Sequence, residues 1–503
     1  MLKDNKILVG KSDEKDLSIL LDKANRHGLI TGASGSGKTI TLKVMAESFS
    51  DAGVPVFLAD VKGDLAATAK KGEENENITN RLEKIGIKDF EYKSFPVRFW
   101  DIFAQSGHPI RTSIDSIGPN ILSMMLGLSE TQEGVLAIAF KIASDNSWKL
   151  DDTKDLRLLL QYIGENKEEF ITKYGNITTQ SIGVIQRCLL TLENQGADKF
   201  FGQPQLDIND FINVDENGKG IINILHAVEL FKSPDLYASF LLWLLTSLFD
   251  KMPEVGDLDK PKMVFFFDEA HLLFSGMPSY RLKQITQIVK LIRSKGIGLY
   301  FISQSPTDIP NEIIAQLGNR IQHTLRAYTP SEQKTVKVAA DAFRTNPNFD
   351  TYDAILSLGT GEALISFQNE NGEPDIVEKG TILPPQSQIG TIDDIERNKI
   401  INSSLLLGKY DEPEERDSAY EQLDKMIKEK IELEENEKKK KEEEKLLKEK
   451  EKEEEKKKRQ EEKAKKNDPM EKIKNKATNK IINKALDKAI NKGLNSIFKG
   501  IFK

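Results

Sequence analysis

A glycine-rich segment near the N-terminus has the residue types and spacing that hold a phosphate chain. It reads G-A-S-G-S-G-K-T and fits the pattern G-x-x-x-x-G-K-[ST]. Its glycines let the backbone wrap round a phosphate with the N–H groups pointing inward, and the following helix adds the positive end of its dipole. Lys38 is expected to reach the β- and γ-phosphates, and Thr39 to offer its hydroxyl to Mg²⁺. The candidate nucleotide-binding residues are Gly32, Ala33, Ser34, Gly35, Ser36, Gly37, Lys38 and Thr39.

Two adjacent carboxylates, Asp268 and Glu269, follow the apolar run V-F-F-F. In an open parallel sheet, ligands bind at the carboxyl ends of the strands, so both acids are expected beside the phosphate loop. Asp268 is the expected partner of Mg²⁺, directly or through the second shell, and Glu269 is the expected base that polarises the attacking water. The alternative is an ordinary strand end with a solvated turn. A chain without such a base could bind a nucleotide without hydrolysing it, so Glu269 favours hydrolysis.

Three further polar residues are candidates for a role in catalysis. Gln304 ends another apolar run, where its amide could sense the γ-phosphate or orient water; a simple loop start is the alternative. Arg320, and as second choice Arg326, could act in trans, because in ring ATPases an arginine of one subunit stabilises charge on the transferring phosphoryl group in its neighbour. A solvated surface arginine is the alternative for each.

Apolar runs and helical spacing place these residues on a parallel sheet. Residues 27–31 and 54–59 predict two strands and 39–49 a helix between them, which implies a parallel βαβ unit round the loop. A merely flexible glycine and serine loop would not predict that strand before it and that helix after it. Further strands are predicted at 221–225, 263–267, 298–302, 319–325 and 362–367.

The fold class that follows is α/β: one doubly wound domain with a helical insertion and a polar C-terminal tail. The insertion is predicted because apolar residues recur at helical spacing there with few strand signals. The core is expected in two parts, 1–117 with the phosphate loop and 211–385 with the acidic pair, separated by the helical insertion at 118–210. A charged linker or long helix is predicted at 386–468, and a basic amphipathic helix at 469–503.

Composition excludes several classes of protein. A single cysteine, Cys188, excludes a disulfide framework and a cysteine-based zinc site, and fits a reducing compartment. The N-terminus has no apolar core long enough for a signal peptide, and Leu236–Phe249 is too short to span a bilayer, so a cytoplasmic protein is expected. Residues 1–420 carry 45 basic and 59 acidic residues, a net charge of −14, so no domain-wide basic surface indicates nucleic acid.

The tail has two parts of different character. Residues 421–468 hold 18 acidic and 18 basic residues among 48, which indicates a long solvated helix supported by i,i+4 pairs, or disorder. Residues 469–503 place apolar residues at i,i+4 spacing beside a row of lysines. Such a helix can dock on a partner protein or lie on an anionic membrane surface, and self-association of the tail is an equal alternative.

The motifs, taken in order, resemble the HerA/FtsK branch of P-loop ATPases and, within it, the bacterial HerA-like helicase family known from its C-terminal domain. The resemblance covers about 1–385. It rests on H-G-L-I-T-G-A-S-G-S-G-K-T, A-D-V-K-G-D-L (59–65), V-F-F-F-D-E-A-H-L-L-F (264–274), L-I-R-S-K-G-I-G (291–298) and Q-L-G-N-R-I-Q-H (316–323).

The resemblance implies a RecA-like P-loop core with a mostly parallel central sheet. It also implies a homohexameric ring that holds ATP and Mg²⁺ between subunits, with DNA as a candidate partner. Gln304 falls on the family's sensor glutamine, and Asp60, Lys62 and Asp64 fall in a family segment after the second strand. The leading hypothesis is Mg²⁺-dependent ATP hydrolysis coupled to DNA translocation or unwinding. The alternatives are an ATP-gated oligomeric platform that regulates a partner protein, and a nucleotide-binding regulator without turnover.

Overall fold

The computed structural model describes residues 1–13, 15–467, 470, 473–474, 476–485 and 488. The chain divides into two compact units, Met1–Leu423 and Asp424–Lys503. The first unit holds the sheet and every candidate catalytic residue, and the second continues the last long helix.

The described residues form one sheet of thirteen strands. The strands are β1 (Leu2–Lys3), β2 (Lys6–Lys11), β3 (Asp16–Leu20), β4 (Gly28–Thr31), β5 (Val56–Asp60), β6 (Val97–Asp101), β7 (His108–Pro109), β8 (Ile222–His226), β9 (Met263–Phe267), β10 (Ile297–Ser303), β11 (Asn319–Gln322), β12 (Glu362–Ser366) and β13 (Glu378–Ile382).

Helices flank this sheet and form the insertion and the tail. The α-helices of the described residues are α1 (Lys38–Asp51), α2 (Glu76–Ile85), α3 (Ile114–Met125), α4 (Glu130–Asp145), α5 (Thr153–Glu165), α6 (Lys167–Tyr174), α7 (Thr179–Asn194), α8 (Pro234–Lys251), α9 (Ser279–Leu291), α10 (Asn311–Ile314), α11 (Pro330–Asp341), α12 (Thr351–Ser357), α13 (Asp394–Asn402) and α14 (Ala419–Asn467).

The central sheet is mostly parallel, as the sequence predicts. Its order is β1-β2-β13-β12-β11-β4-β10-β9-β5-β8-β6-β7, with β3 paired to β2. Every pairing from β11 through to β7 is parallel, whereas β12, β13 and the N-terminal strands pair antiparallel. The carboxyl ends of β4, β10, β9 and β5 therefore meet at one edge of the sheet, which is where parallel α/β sheets bind ligands.

The apolar runs become strands because both faces of the sheet are covered. In β9, Phe265 and Phe267 pack into the core on one face, whereas Val264 and Phe266 pack into the core on the other. Continuous burial on both faces is the reason that these strands read as unbroken apolar runs rather than alternating ones. The predicted strand at 263–267 is β9 residue for residue.

Each face of the sheet is covered by different helices. The helix α1, which follows β4, contributes Leu42, Met45 and Phe49 to one core. The helix α8 lies on the other face and is buried on nearly all sides, which agrees with its long apolar run. None of the helices in the described part of the chain is both long and apolar enough to cross a membrane.

The predicted insertion is helical. Between β7 and β8, a stretch that is described throughout, the chain forms the five α-helices α3 to α7. Their apolar sides pack into the same core as α8, so the insertion shares its hydrophobic core with one face of the sheet. The boundaries of the predicted domains stay a prediction.

The described residues of the second unit are charged helix. Between Leu423 and residue 464, α14 is mostly exposed, and it carries the i,i+4 ion pairs Lys428–Asp424, Lys441–Glu437 and Arg459–Glu455. Pairs of this kind support a helix that buries little apolar surface. The amphipathic helix predicted at 469–503 lies mainly outside the described residues, of which 476–485 are helical and exposed.

Candidate active site

The predicted phosphate loop joins β4 to α1 at the carboxyl edge of the sheet. Gly35 and Gly37 adopt φ of 76° and 116°, a left-handed region that residues with a side chain rarely enter. A Cβ on Gly32 would lie 2.5 Å from the Cβ of His323. Position 32 must therefore be glycine for the loop to approach this histidine so closely. The N-cap of α1 is Gly37, which has no side chain that could cap the helix. The N–H groups of the first turn of α1 therefore remain available to an anion.

Lys38 is the first residue of α1, and its side chain folds back onto the phosphate loop. Its Nζ donates to the carbonyl oxygens of Gly32 at 2.6 Å and Ala33 at 3.1 Å. Burial lowers the pKa of Lys38, and the charges of Glu269 and Asp268 act against this shift. The positive charge of Lys38 therefore interacts with the acidic pair, although β10 lies between β4 and β9 in the sheet.

Asp268 and Glu269 leave the end of β9 in a sharp turn. Glu269 has φ of 48° and ψ of 43°, a left-handed conformation that is costly for a residue with a side chain. The N–H of Glu269 donates to Oδ1 of Asp268 at 2.9 Å, and the Tyr237 hydroxyl donates to the Asp268 carbonyl at 2.9 Å. This turn is therefore held from two sides and directs two successive carboxylates to the same edge.

The environments of the two acids differ. Burial, followed by the charge of Glu269, raises the pKa of Asp268 to about 6. Oε2 of Glu269 is buried and has no hydrogen-bond partner among the described residues; the nearby Nδ1 of His271 lies 3.5 Å away. An unpartnered carboxylate oxygen in a cleft is suited to accept a hydrogen bond from water or to face a bound ligand.

The loop and the acidic pair share one cleft of about 280 Å³. The predicted residues that line it are Ser34, Gly35, Gly37, Lys38, Thr39, Asp268 and Glu269. Thr39, which is half-buried, and Asp268 both line this space, and hard oxygen donors such as their hydroxyl and carboxylate are the ligands that Mg²⁺ prefers. The residues present thus fit a magnesium site in which both would serve.

The segment after β5 also reaches the cleft, through Lys62 and Asp64. It is shaped by Asp60, which is 1% exposed and accepts from the N–H groups of Gly63 at 2.7 Å and Leu65 at 3.1 Å. Burial, with the charge of Asp64 as a second cause, raises the pKa of Asp60 to about 6. Asp60 thus positions the turn, and Lys62 and Asp64 face the ligand space.

The remaining predicted residues occupy different surroundings. Gln304 comes one residue after β10, which lies between β4 and β9 in the sheet, and it is exposed. It is not among the residues that line the cleft of the loop and the acidic pair. Arg320 is half-buried on β11 and donates to the carbonyls of Ala342, Leu317 and Ile314. Arg326 is exposed in the segment that follows β11.

Comparison with known proteins places the chain in a family. The Helicase HerA-like C-terminal family matches residues 5–501, nearly the whole length. The chain belongs to this family. The resemblance inferred from the motifs is thereby confirmed.

Two curated relatives of this HerA-like chain share one description. A DNA double-strand break repair helicase HerA of Sulfolobus acidocaldarius is 24% identical over 71% of this chain and 65% of its own length. The protein of the same description from Saccharolobus solfataricus is 25% identical over 71% of this chain and 64% of its own. The chain thus spans just under two thirds of the length of these relatives.

Solved structures with some similarity include a plasmid coupling protein and a VirB4 protein. The plasmid coupling protein TrwB in complex with a non-hydrolysable ATP analogue is 14% identical, with a TM-score of 0.48, over 78% of this chain and 92% of that one. VirB4 of Thermoanaerobacter pseudethanolicus is 14% identical, with a TM-score of 0.49, over 79% of this chain and 100% of that one.

His323 supports the loop of this HerA-like chain from behind, a role that sequence reasoning missed. It is fully buried; its Nδ1 lies 2.9 Å from the carbonyl of Glu362 and its Nε2 2.9 Å from the Thr41 hydroxyl. A carbonyl can only accept, so Nδ1 carries the proton and Nε2 accepts from Thr41. The only sequence signal was its place at the end of Q-L-G-N-R-I-Q-H, and that motif does not indicate what the ring contacts.

We expect His323 to make the fold sensitive to acid. Burial lowers its pKa to about 4, below the ordinary value of 6.5, so between these values the unfolded chain binds a proton that the folded chain does not. The free energy of unfolding should therefore fall as pH falls from 7.5 to 5, by about 2 kcal/mol from this group.

Urea unfolding of the parent chain and of His323→Gln at both pH values measures this contribution. Glutamine keeps an amide donor for the Glu362 carbonyl and does not titrate in this range. Acidic groups with raised pKa values, such as Asp60 and Asp268, act in the opposite direction but do so in both proteins. An equal loss of stability in parent and variant would show that the His323 ring does not stay neutral in the fold.

Proposed function

We propose that this cytoplasmic HerA-like chain hydrolyses ATP with Mg²⁺. The observation that carries the proposal is the single cleft in which Lys38, Thr39, Asp268 and Glu269 meet. Lys38 and Thr39 begin α1, directly after the loop that follows β4, and Asp268 and Glu269 follow β9. The order of β4 and β9 in the sheet brings the phosphate loop and the acids to one edge.

Each residue then has a distinct task. Lys38 and the N–H groups of the loop would hold the phosphate oxygens, and Thr39 and Asp268 would hold the metal. A bound Mg²⁺ would supply positive charge to the β- and γ-phosphate oxygens. Glu269 would accept a hydrogen bond from the attacking water and take its proton, with Oε2 as the free oxygen. The exposed Gln304 would orient that water or contact the γ-phosphate.

We propose a homohexameric ring in which an arginine of one subunit completes the site of its neighbour. Arg326 is the better candidate, because it is exposed whereas the Arg320 guanidinium is already bound to three carbonyls of its own chain. We expect Arg326→Ala to bind ADP normally and to lose most of its turnover.

A mixing experiment distinguishes a trans role of Arg326 from a role within its own subunit. Arg326→Ala subunits would be mixed with Lys38→Ala subunits, which are inactive but keep Arg326. Mixed rings contain some sites with an intact loop and an intact neighbouring arginine, so partial recovery of turnover is expected. Absence of recovery, with mixed assembly verified by mass, would contradict the trans role.

We further propose that hydrolysis drives movement along DNA or its unwinding. The support is membership of a helicase family and the description of the curated relatives as DNA repair helicases. The net charge of −14 over residues 1–420 requires that any phosphate-binding surface be local, such as a basic strip lining a channel.

The acidic charge favours a second candidate, an ATP-gated platform that acts on a partner protein without moving DNA. The exposed charged helix from residue 428 to 464 offers such a partner a surface. The basic segment 469–503, which lies mainly outside the described residues, is proposed as a further contact to a protein or an anionic membrane surface.

ATP turnover measured with and without DNA decides between these two functions. A motor is expected to turn over at least several times faster on duplex or single-stranded DNA, and the stimulation should fall as salt rises. A mass measurement on the same sample would report the size of the ring. DNA-indifferent turnover in the full chain would contradict the motor and leave the platform.

A further inference from the structure

A short segment from the end of the core, P-P-Q-S-Q-I-G at 384–390, borders the nucleotide cleft. Its contribution is Ile389, whose side chain is 50% exposed. Two other aliphatic residues in the lining, Leu42 and Ile302, are at most 2% exposed. The apolar surface that a ligand can reach in this cleft is therefore Ile389 together with the half-buried Ile40.

The segment is fixed to α1, the helix that begins at the phosphate loop. Glu47 accepts hydrogen bonds from the N–H groups of Gln386 at 2.7 Å and Ser387 at 3.2 Å, and also from the Ser387 hydroxyl. One helical turn earlier, the Lys43 ammonium donates to the carbonyl of Gln388, next to Ile389. Both charged side chains are only 1% exposed.

The other side of the segment is held as well. The N–H of Gln388 donates to the Lys70 carbonyl at 3.0 Å, and the Gly390 carbonyl accepts from the N–H of Ala67 at 3.3 Å. Residues on both sides of Ile389 are thus bound through their backbones. Ile389 is therefore presented to the cleft on a fixed backbone and not on a free loop.

The nature of the cleft suggests what Ile389 contacts. The loop amides, Lys38 and the acidic pair provide polar groups suited to a triphosphate and its metal. A nucleotide also carries a ribose and a flat aromatic base, and base-binding surfaces are mainly apolar. Ile40, in the first turn of α1 directly after Thr39, lies where the chain leaves the phosphate loop, and it shares the lining with Ile389.

We infer that Ile389, with Ile40, forms the wall against which the ribose and base of the bound nucleotide pack, and that Lys43 and Glu47 are positioning residues for this wall. The inference rests on the proposed ATPase function and adds the part of the substrate that the phosphate loop does not recognise. It also explains why two costly buried charges lie on α1, because they fix the distance between the phosphate loop and the wall.

The test compares a nucleotide with an inorganic polyphosphate that has no nucleoside. Calorimetric titration of the full chain with Mg²⁺–ADP and with inorganic tripolyphosphate would be carried out on the parent, Ile389→Ser and Ile395→Ser. Ile395 is the matched control, since it is an isoleucine six residues further on and 82% exposed on α13. We expect Ile389→Ser to weaken ADP binding about tenfold, the control to match the parent, and tripolyphosphate to bind all three proteins equally.

Each result has one meaning. Parent-like ADP binding by Ile389→Ser would overturn the wall and leave the ATPase proposal intact. Equal weakening of ADP and tripolyphosphate would also overturn it, because the change would then act through the phosphate loop. If neither ligand bound the parent, the proposed function itself would fail.

The positioning role of Glu47 can be tested by steady-state kinetics of a variant at Ser387. Ser387→Ala removes the hydroxyl bond to Glu47 while both backbone bonds remain. We expect it to raise KM for ATP severalfold and to change kcat by less than about twofold, since the acidic pair is untouched. Ser387→Thr, which restores a hydroxyl, should recover KM. A fall in kcat at unchanged KM would contradict a role in positioning the wall.

Discussion

Replacing Lys38 with alanine is expected to abolish nucleotide binding and, with it, ATP turnover. The Lys38 ammonium lies in the cleft shared by the loop and the acidic pair, and it is the cation at the start of α1. Charge-assisted bonds to phosphate in a partly buried site are among the strongest that a protein makes, so ADP affinity should fall at least about a hundredfold. Calorimetric titration with Mg²⁺–ADP and a phosphate-release assay measure the two effects.

A matched control shows whether the effect of Lys38→Ala comes from the phosphate-binding site or merely from the loss of one positive charge. Lys337 is exposed on α11, so Lys337→Ala should bind and hydrolyse as the parent does. Thermal unfolding of both variants would verify that each remains folded. Turnover at the parent rate in Lys38→Ala would show that the segment 32–39 is not the phosphate-binding loop.

The part of the fold that the sequence predicts is the part in which local pattern and tertiary environment agree. The buried strands β4, β5, β9 and β10 are short apolar runs, because both faces of the sheet are covered. The strand β6 was not predicted, since its sequence V-R-F-W-D carries an arginine. The structure buries Arg98 and satisfies it with the Asp210 carbonyl at 2.6 Å. That contact spans more than a hundred residues and leaves no local signal.

The same limit applies to the site. The loop at 32–39 and the acids at 268–269 are contiguous in sequence, and the chemistry of each follows from adjacent residues. His323 contacts Thr41 behind the loop, and Glu47 accepts a hydrogen bond from Gln386 in the segment that holds Ile389. These contacts join residues about three hundred positions apart, so a single sequence cannot reveal them. The Arg320 guanidinium is a further example, because its three carbonyl partners become evident only in the fold.

Replacing Glu269 with glutamine is expected to retain nucleotide binding and to abolish hydrolysis, whereas Lys38→Ala is expected to lose both. Glu269 lies in a left-handed turn, and its Oε2 is buried without a hydrogen-bond partner among the described residues. The amide has the same shape and can still orient a water molecule, but it cannot take a proton. Loss of a general base typically costs about a hundredfold to ten-thousandfold in rate.

The predicted outcome is therefore ADP affinity within about twofold of the parent and single-turnover hydrolysis at least about a hundredfold slower. Glu312→Gln, at an exposed position on α10, is the matched control and should behave as the parent. Together, Lys38→Ala and Glu269→Gln would assign nucleotide binding to Lys38 and hydrolysis to Glu269. Parent-like hydrolysis by Glu269→Gln would assign the proton transfer to another group, and Asp268 and His271 would be the next residues to test, since both lie beside Glu269.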